Sequence, residues 1–521
     1  GLPRFLGGFL DLVFDRNTGL LLNVPNIDAI FAIRQLCLMM QKVNLECDES
    51  RRKAAYVSYV ECEQHVRVFD QARSRSDYDD IERVGRNLFA DVLQAMDESV
   101  HYGELVPKHG PGATADRLRG NSKFRQSEWT CRLQEVFPTW EYLLPNERYV
   151  EYLDRVAMLE PGQERPVRVI SVPKTLKTPR IIAIEPTAMQ YAQQAIAEQL
   201  ISFLETRRVP GNTRENACYG MVGFESQFPN QELARMGSLT GEFATLDLKD
   251  ASDCVSNQHV RALVAPYPSL SQALDATRSR KADVPGHGVI RLAKFASMGS
   301  ALCFPVEAMV FLTVVFIGIE RGLNRQLSRK DILYLRGKVR VYGDDIVVPV
   351  EYANPVSSTL EDFGLRVNRN KSFWTGKFRE SCGGDFYDGE WITPIRVRRM
   401  LPQKRGDAQE IISAVELRNQ LYKAGLWKTA GYLDTIISRV ISHYPVVREE
   451  SPILGRFSYL GPNTDFERYS LHTQSPLVKG YVTRSVLPKD SLDEAYALLK
   501  WFLKRGENPY AEDHLERSGR P

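Results

Sequence analysis

Apolar positions recur at helical spacing over 27–40 and 81–96, and the first hundred residues read as a mainly helical layer broken by charged stretches such as 48–53. Met189, Ala192, Ile196, Leu200 and Leu204 predict one packing face of a helix over 185–204. Two other stretches follow strand chemistry. The run Phe243-Ala244-Thr245-Leu246-Asp247-Leu248 predicts a buried strand that ends on an acid and leads into Lys249-Asp250-Ala251-Ser252-Asp253. Lys338-Val339-Arg340-Val341-Tyr342 and Ile346-Val347-Val348 flank Gly343-Asp344-Asp345, which predicts a β-hairpin with a tight turn. Between them, 301–319 is almost continuously apolar. Its length suits a membrane span, but Pro305 and Glu307 lie inside it, and an all-round apolar helix suits a large core equally well. Past residue 390, the pairs Asp407/Glu410 and Ser491/Glu494 predict helix starts in a separate, mostly helical lobe.

Composition adds little to this picture. A chain of 521 residues with 43% hydrophobic and 26% charged residues can bury a large core. A net charge of +3 does not announce a polyanion partner, so any such footprint has to come from local clustering. The eight cysteines form no Cys-x-x-Cys pair, which argues against a zinc site or disulfide framework and for a reducing compartment. The sequence opens on Gly1 rather than Met, consistent with a missing or processed start, and no signal-peptide pattern is expected.

Local clusters carry the chemistry. Asp344 and Asp345 are adjacent carboxylates with no basic neighbour in sequence; they either face water or share a divalent cation, for which oxygen ligands suit Mg²⁺ or Mn²⁺. If the two predicted strands lie side by side, Asp247 joins them, and three carboxylates could hold two cations about 3.5–4 Å apart. Arg165, Arg168, Lys174, Lys177 and Arg180 make an extended basic segment suited to a triphosphate or a nucleic-acid backbone. Lys108 to Asp116 is a Gly/Pro-interrupted loop, and 285–288 marks a turn. Ser297-Met298-Gly299-Ser300 precedes the long apolar helix and offers amides and hydroxyls to sugar or phosphate oxygens. Lys371 lies downstream of the carboxylates, and Arg396, Arg398 and Arg399 open the last lobe.

The order of these blocks resembles the viral RNA-dependent RNA polymerases. Val172-Pro173-Lys174 with Lys177, Arg180 and Glu185-Pro186, Asp247-Leu248 with Ala251-Ser252-Asp253, Ser297-Met298-Gly299, Tyr342-Gly343-Asp344-Asp345 and Phe378-Arg379-Glu380-Ser381-Cys382-Gly383 are similar, more narrowly, to the replicase catalytic subunit of positive-strand RNA bacteriophages of the levivirus group. The match spans roughly residues 105–395. It implies an α+β right-hand polymerase: a helical fingers region over 1–100, fingers with a basic nucleotide-entry segment over 101–240, a palm with an antiparallel sheet on helices over 241–390 (a fingers insertion near 262–294), and a mainly helical thumb over 391–521.

The resemblance further implies RNA-directed RNA synthesis from ribonucleoside triphosphates with two Mg²⁺ (Mn²⁺ as substitute). Asp247, Asp344 and Asp345 would be metal ligands with the Leu248 carbonyl, and Lys371 a proton donor. Lys174, Lys177 and Arg180 would neutralise the triphosphate, Ser252 and Asp253 would test for the 2′-hydroxyl, and Ser297 and Gly299 would complete the nucleotide site. The implied partners are RNA, host elongation factors Tu and Ts and a ribosomal protein, in the host cytoplasm and without a membrane. Cys303 and Glu307 depart from the Thr and Asn of many RNA virus polymerases. A reverse transcriptase and a non-catalytic RNA-binding protein with this fold are the alternatives.

Overall fold

The computed structural model describes residues 2–175, 177–461, 468–474, 476–486 and 489–505. At its centre lies the helix Cys303–Leu323, buried along nearly its whole length. This helix is long and apolar enough to cross a membrane. Here its apolarity is used against Leu88, Phe89 and Val92 of the helix Arg75–His101, Ile196 and Leu200 of the helix Thr187–Glu205, and Leu246 and Ile346 of a sheet. Pro305 falls in its first turn, where no intrahelical N–H is lost.

That sheet is antiparallel and four-stranded, in the order Arg366–Val367, Phe243–Lys249, Asp345–Pro349, Arg340–Tyr342. The last two strands are the expected hairpin. Gly343 sits at φ +59°, and a Cβ there would lie 2.3 Å from the Phe304 ring, so both the turn and the contact with the central helix require glycine. A second four-stranded sheet pairs Arg180–Ile184 and Val167–Val172 with Lys281–Val284 and Gly288–Arg291. The expected basic extended segment is therefore a hairpin, apart from Leu176, which lies outside the described residues. The 281–291 hairpin leaves the sequence around the Asp247 strand to join it.

Four local expectations change. The charged stretch 48–53 is no break: Asp48 accepts from the Arg51 amide and starts the helix Glu49–Ala72, whose buried stripe is Tyr59, Cys62, Glu63 and Val66. Asp407 caps without a box; its carboxylate takes the amides of Gln403 and Lys404 instead of a helical one. The helix assigned to a Ser491 cap begins two residues later, as Glu494–Lys504 after Asp493. That helix also packs on Leu144 and Tyr152, whereas Ala408–Lys423 and Trp427–Val440 share a core with Val43 and Val397. The expected 391–521 lobe is thus divided, and residues 506–521 lie outside the described residues.

Candidate active site

Asp247 and Asp345 are directly opposite each other on neighbouring antiparallel strands. Asp344 occupies the hairpin turn beside them, exposed. Both strands are buried on both faces: Ala244, Thr245 and Leu246 on one and Ile346, Val347 and Val348 on the other are all covered, and the antiparallel pairing sets the acid tips opposite each other. Asn230, fully buried, locks the hairpin: it accepts from Arg340 Nε at 2.8 Å and donates to the Asp345 carbonyl at 3.3 Å. Thr245 and Asp247 use their backbone groups on the Phe373 and Asn368 side, so strand alternation turns the Leu248 carbonyl toward the hairpin.

Each carboxylate is held by different neighbours. Asp247 accepts from Asn368 Nδ2 at 2.8 Å and stands 3.9 Å from Lys371 Nζ. Its pKa is raised, by desolvation first, with Asp344 adding to the effect and Lys371 opposing it. Asp345 accepts from Ser381 Oγ at 3.4 Å and from the Cys382 amide; burial, then the charges of Asp344 and Asp247, push it up to about 7. The expectation that three carboxylates converge holds in register but not in ligating distance: among the described residues, no group of three acidic, histidine or cysteine side chains is gathered tightly enough to hold a metal ion. Like charges with no counter-charge between them spread toward separate donors, Asp247 to Asn368 and Asp345 to Ser381. The donor set nonetheless fits a hard divalent cation, being all oxygen, with burial first and the neighbouring negative charges second raising the proton affinity of Asp247 and Asp345.

These acids floor a cavity of about 1080 Å³. Its walls bring cations that the sequence scattered: Lys42, Arg180, Lys371, Arg396, Arg398 and Arg399. Lys42, from the N-terminal layer, and the role of the 396–399 run in this cavity were not read from sequence; a basic run following the acidic blocks was the available signal. Helix Ala408–Lys423 closes the cavity with Gln409, Ser413 and Gln420. Lys174 does not line it, but its ammonium is lowered by desolvation, then by Arg180 and Lys371, with Asp344 and Asp247 opposing. Lys177 is exposed on the same loop, away from the lining.

The Phe378–Gly383 block, without an assigned role in sequence, is the hairpin that supplies the Ser381 and Cys382 donors. Cys382 and Gly383 both take positive φ in its turn. Buried Arg379 donates to the Phe243 carbonyl at 2.6 Å and so ties this hairpin to the start of the Asp247 strand.

Ser297 is buried, its Oγ 2.8 Å from the Tyr59 hydroxyl. Gly299 (φ +128°) has its Cα against the Ala183 carbonyl, where a Cβ would lie 2.1 Å away, so backbone approach to the 180–184 strand accounts for the glycine. Ser252 hydrogen-bonds the Cys303 thiol, which also lies 3.7 Å from Glu307. Asp253 pairs with Lys294 at 2.8 Å, a partner no sequence pattern announced.

The family described as RNA replicase, beta-chain matches residues 34–429. The RNA-directed RNA polymerase subunit beta of Enterobacteria phage SP is 28% identical over 367 residues, covering 66% of this chain and 57% of its own. That of Qbeta virus (strain MX1) is 32% identical over 318 residues, covering 60% and 48%. The chain thus spans about half the length of the curated relatives it matches. A crystal structure of the RNA-dependent RNA polymerase of a human picobirnavirus overlays with a TM-score of 0.37 at 10% identity, over 53% of this chain and 55% of that one. With the family match running through both hairpins and the cavity they floor, the chain belongs to the RNA replicase beta-chain family.

Proposed function

We propose that this chain carries the catalytic core of an RNA-directed RNA polymerase, extending an RNA strand on an RNA template by nucleotidyl transfer from ribonucleoside triphosphates. The observation that carries the reading is the Asp247–Asp345 register, with Asp344 in the turn, under a cavity walled by cations. Asp247, Asp344 and Asp345, with the Leu248 carbonyl, are the groups that would hold two Mg²⁺, or Mn²⁺ in their place. When bound, such a pair supplies Lewis acidity to the primer 3′-hydroxyl and charge for the departing pyrophosphate.

The chain's own residues do the rest. Arg180, Lys174 and Lys177 neutralise the triphosphate as it enters along the basic hairpin. Lys371, beside Asp247, gives a proton to pyrophosphate. Asp253 and Ser252 accept from the ribose 2′-hydroxyl, and the Ser297–Gly299 loop lines the nucleotide site. In this reading the Asp247 sheet is the palm, the sheet containing the basic hairpin belongs to the fingers with 281–291 as their insertion, and helix Ala408–Lys423 is the thumb face on the cavity. Host elongation factors Tu and Ts and a ribosomal protein are the proposed partners, in the bacterial cytoplasm.

The test is extension of a primed RNA by the purified chain, with and without host extract, using labelled ribo- and deoxyribonucleotides. Ribonucleotide incorporation abolished by Asp344→Asn is the expected result. A deoxyribonucleotide preference would make the chain a reverse transcriptase. RNA binding, with any incorporation insensitive to Asp344→Asn, would make it a binding protein.

A further inference from the structure

Lys294 is a cation with no exposed surface, set between three segments far apart in sequence. Its ammonium lies 2.8 Å from Asp253 Oδ1, 3.2 Å from Glu63 Oε1 and 3.5 Å from the centre of the Tyr59 ring. Burial works against its charge, and Asp253, Tyr59 and Glu63 more than reverse that, so it stays an ammonium. Its backbone is held on both sides: the Ala293 amide donates to Glu63 Oε2 at 2.6 Å, and the Lys294 carbonyl accepts from Arg278 at 2.6 Å. The same helix that supplies Glu63 supplies Tyr59, whose hydroxyl meets Ser297.

We infer that Lys294 is a positioning residue for sugar discrimination: it commits one oxygen of Asp253, aims the other at the incoming ribose, and through the shared Tyr59–Glu63 helix holds the Ser297 loop in step. The inference rests on the reading of Asp253 as the group that meets the 2′-hydroxyl. Asp253 Oδ1 is taken by Lys294, while Oδ2 has no hydrogen bond to a described residue and its side chain keeps 23% of its surface. A carboxylate fixed through one oxygen presents the other in a single orientation, which a freely rotating one does not. One ammonium between two carboxylates also leaves the cluster with a net negative charge. That suits an acceptor for a hydroxyl and repels a phosphate, so the cluster reads sugar rather than triphosphate. Stability alone does not call for this arrangement, since well-packed apolar groups do as well as a buried ion pair.

The test compares kcat/KM for ATP and dATP in primer extension by the full chain. Asp253→Asn and Lys294→Met are each expected to lower the ribo-over-deoxy ratio by about tenfold or more, mainly through the ATP KM. The double variant should lower it no further than Asp253→Asn alone. If Asp253→Asn leaves the ratio in place, the reading of Asp253 fails and takes the inference with it. If Asp253→Asn lowers the ratio and Lys294→Met does not, only the inference is overturned. Should Lys294→Met fail to fold in a thermal melt, Glu63→Gln, which keeps an acceptor for the Ala293 amide, takes its place. A ratio lowered by about twofold or more then supports positioning, and an unchanged ratio overturns it.

Discussion

Two acidic clusters in this molecule handle the same electrostatic problem in opposite ways. At the hairpin, Asp345 lies opposite Asp247 and beside Asp344, and burial, reinforced by their charges, lifts its pKa to about 7. At the turn after the same strand, Asp253 and Glu63 share a fully buried ammonium. The first cluster has only an exposed lysine, Lys371, 3.9 Å from Asp247 as partial counter-charge; the second carries a fully buried one at its centre. An active site needs both kinds, one to receive charge during the reaction and one to hold a fixed shape before it.

Changing one side chain at each cluster should therefore move activity and stability in different directions. The largest effect is expected from Asp345→Asn. Single-nucleotide incorporation should fall about 10³-fold or more, while the melting temperature of the metal-free chain stays level or rises because a repulsion is relieved. A large loss of stability would show that Asp345 is structural.

Lys294→Met should do the reverse to stability. Two buried or half-buried carboxylates would lose their cation, at a cost on the order of 3–5 kcal/mol in chemical denaturation. An unchanged denaturation midpoint would mean that the cluster is not the closed ion set described.

Glu185 offers a control with neither design. It is wholly buried, has Ser279 as a hydrogen-bond donor, and desolvation raises it to about 7. The folded chain then binds a proton that the unfolded chain has already released above about pH 4.5, so stability declines as pH rises from there and levels off above about 7. Glu185→Gln should remove that decline, a difference on the order of 2–3 kcal/mol between pH 5 and 8 in denaturation midpoints. Parallel pH profiles for both proteins would contradict the raised value.

The smallest expected effect is at Lys174→Ala, which should raise the nucleotide KM by about tenfold with little change in melting temperature. Its ammonium lies within the field of Asp344 and Asp247 without lining the cavity. An unchanged KM would remove it from the nucleotide path.

Much of the hairpin cluster was legible in the chain. The β-branched runs around Gly343-Asp344 and the apolar run before Asp247 each specify a strand, and their antiparallel pairing puts Asp247 opposite Asp345. The 303–323 helix was legible for the same reason, as an all-apolar run that had to be buried. The helix Glu49–Ala72 was not. Its buried stripe contains Glu63 and Cys62, and a glutamate in such a stripe reads as surface until its cation is known. The Phe378–Gly383 block was visible as a motif, yet its work depends on Asp345, some 35 residues away in the chain, accepting from its turn.

By itself, then, the sequence determined the strands, their acid tips and the central helix, because these follow from periodicity and propensity over a few neighbouring residues. Only the tertiary structure decided which charges are compensated: Lys294 meets Glu63 across 231 positions, and Lys42 and Arg396 reach one cavity across 354. An ion pair has no sequence period, and its partners are chosen by packing.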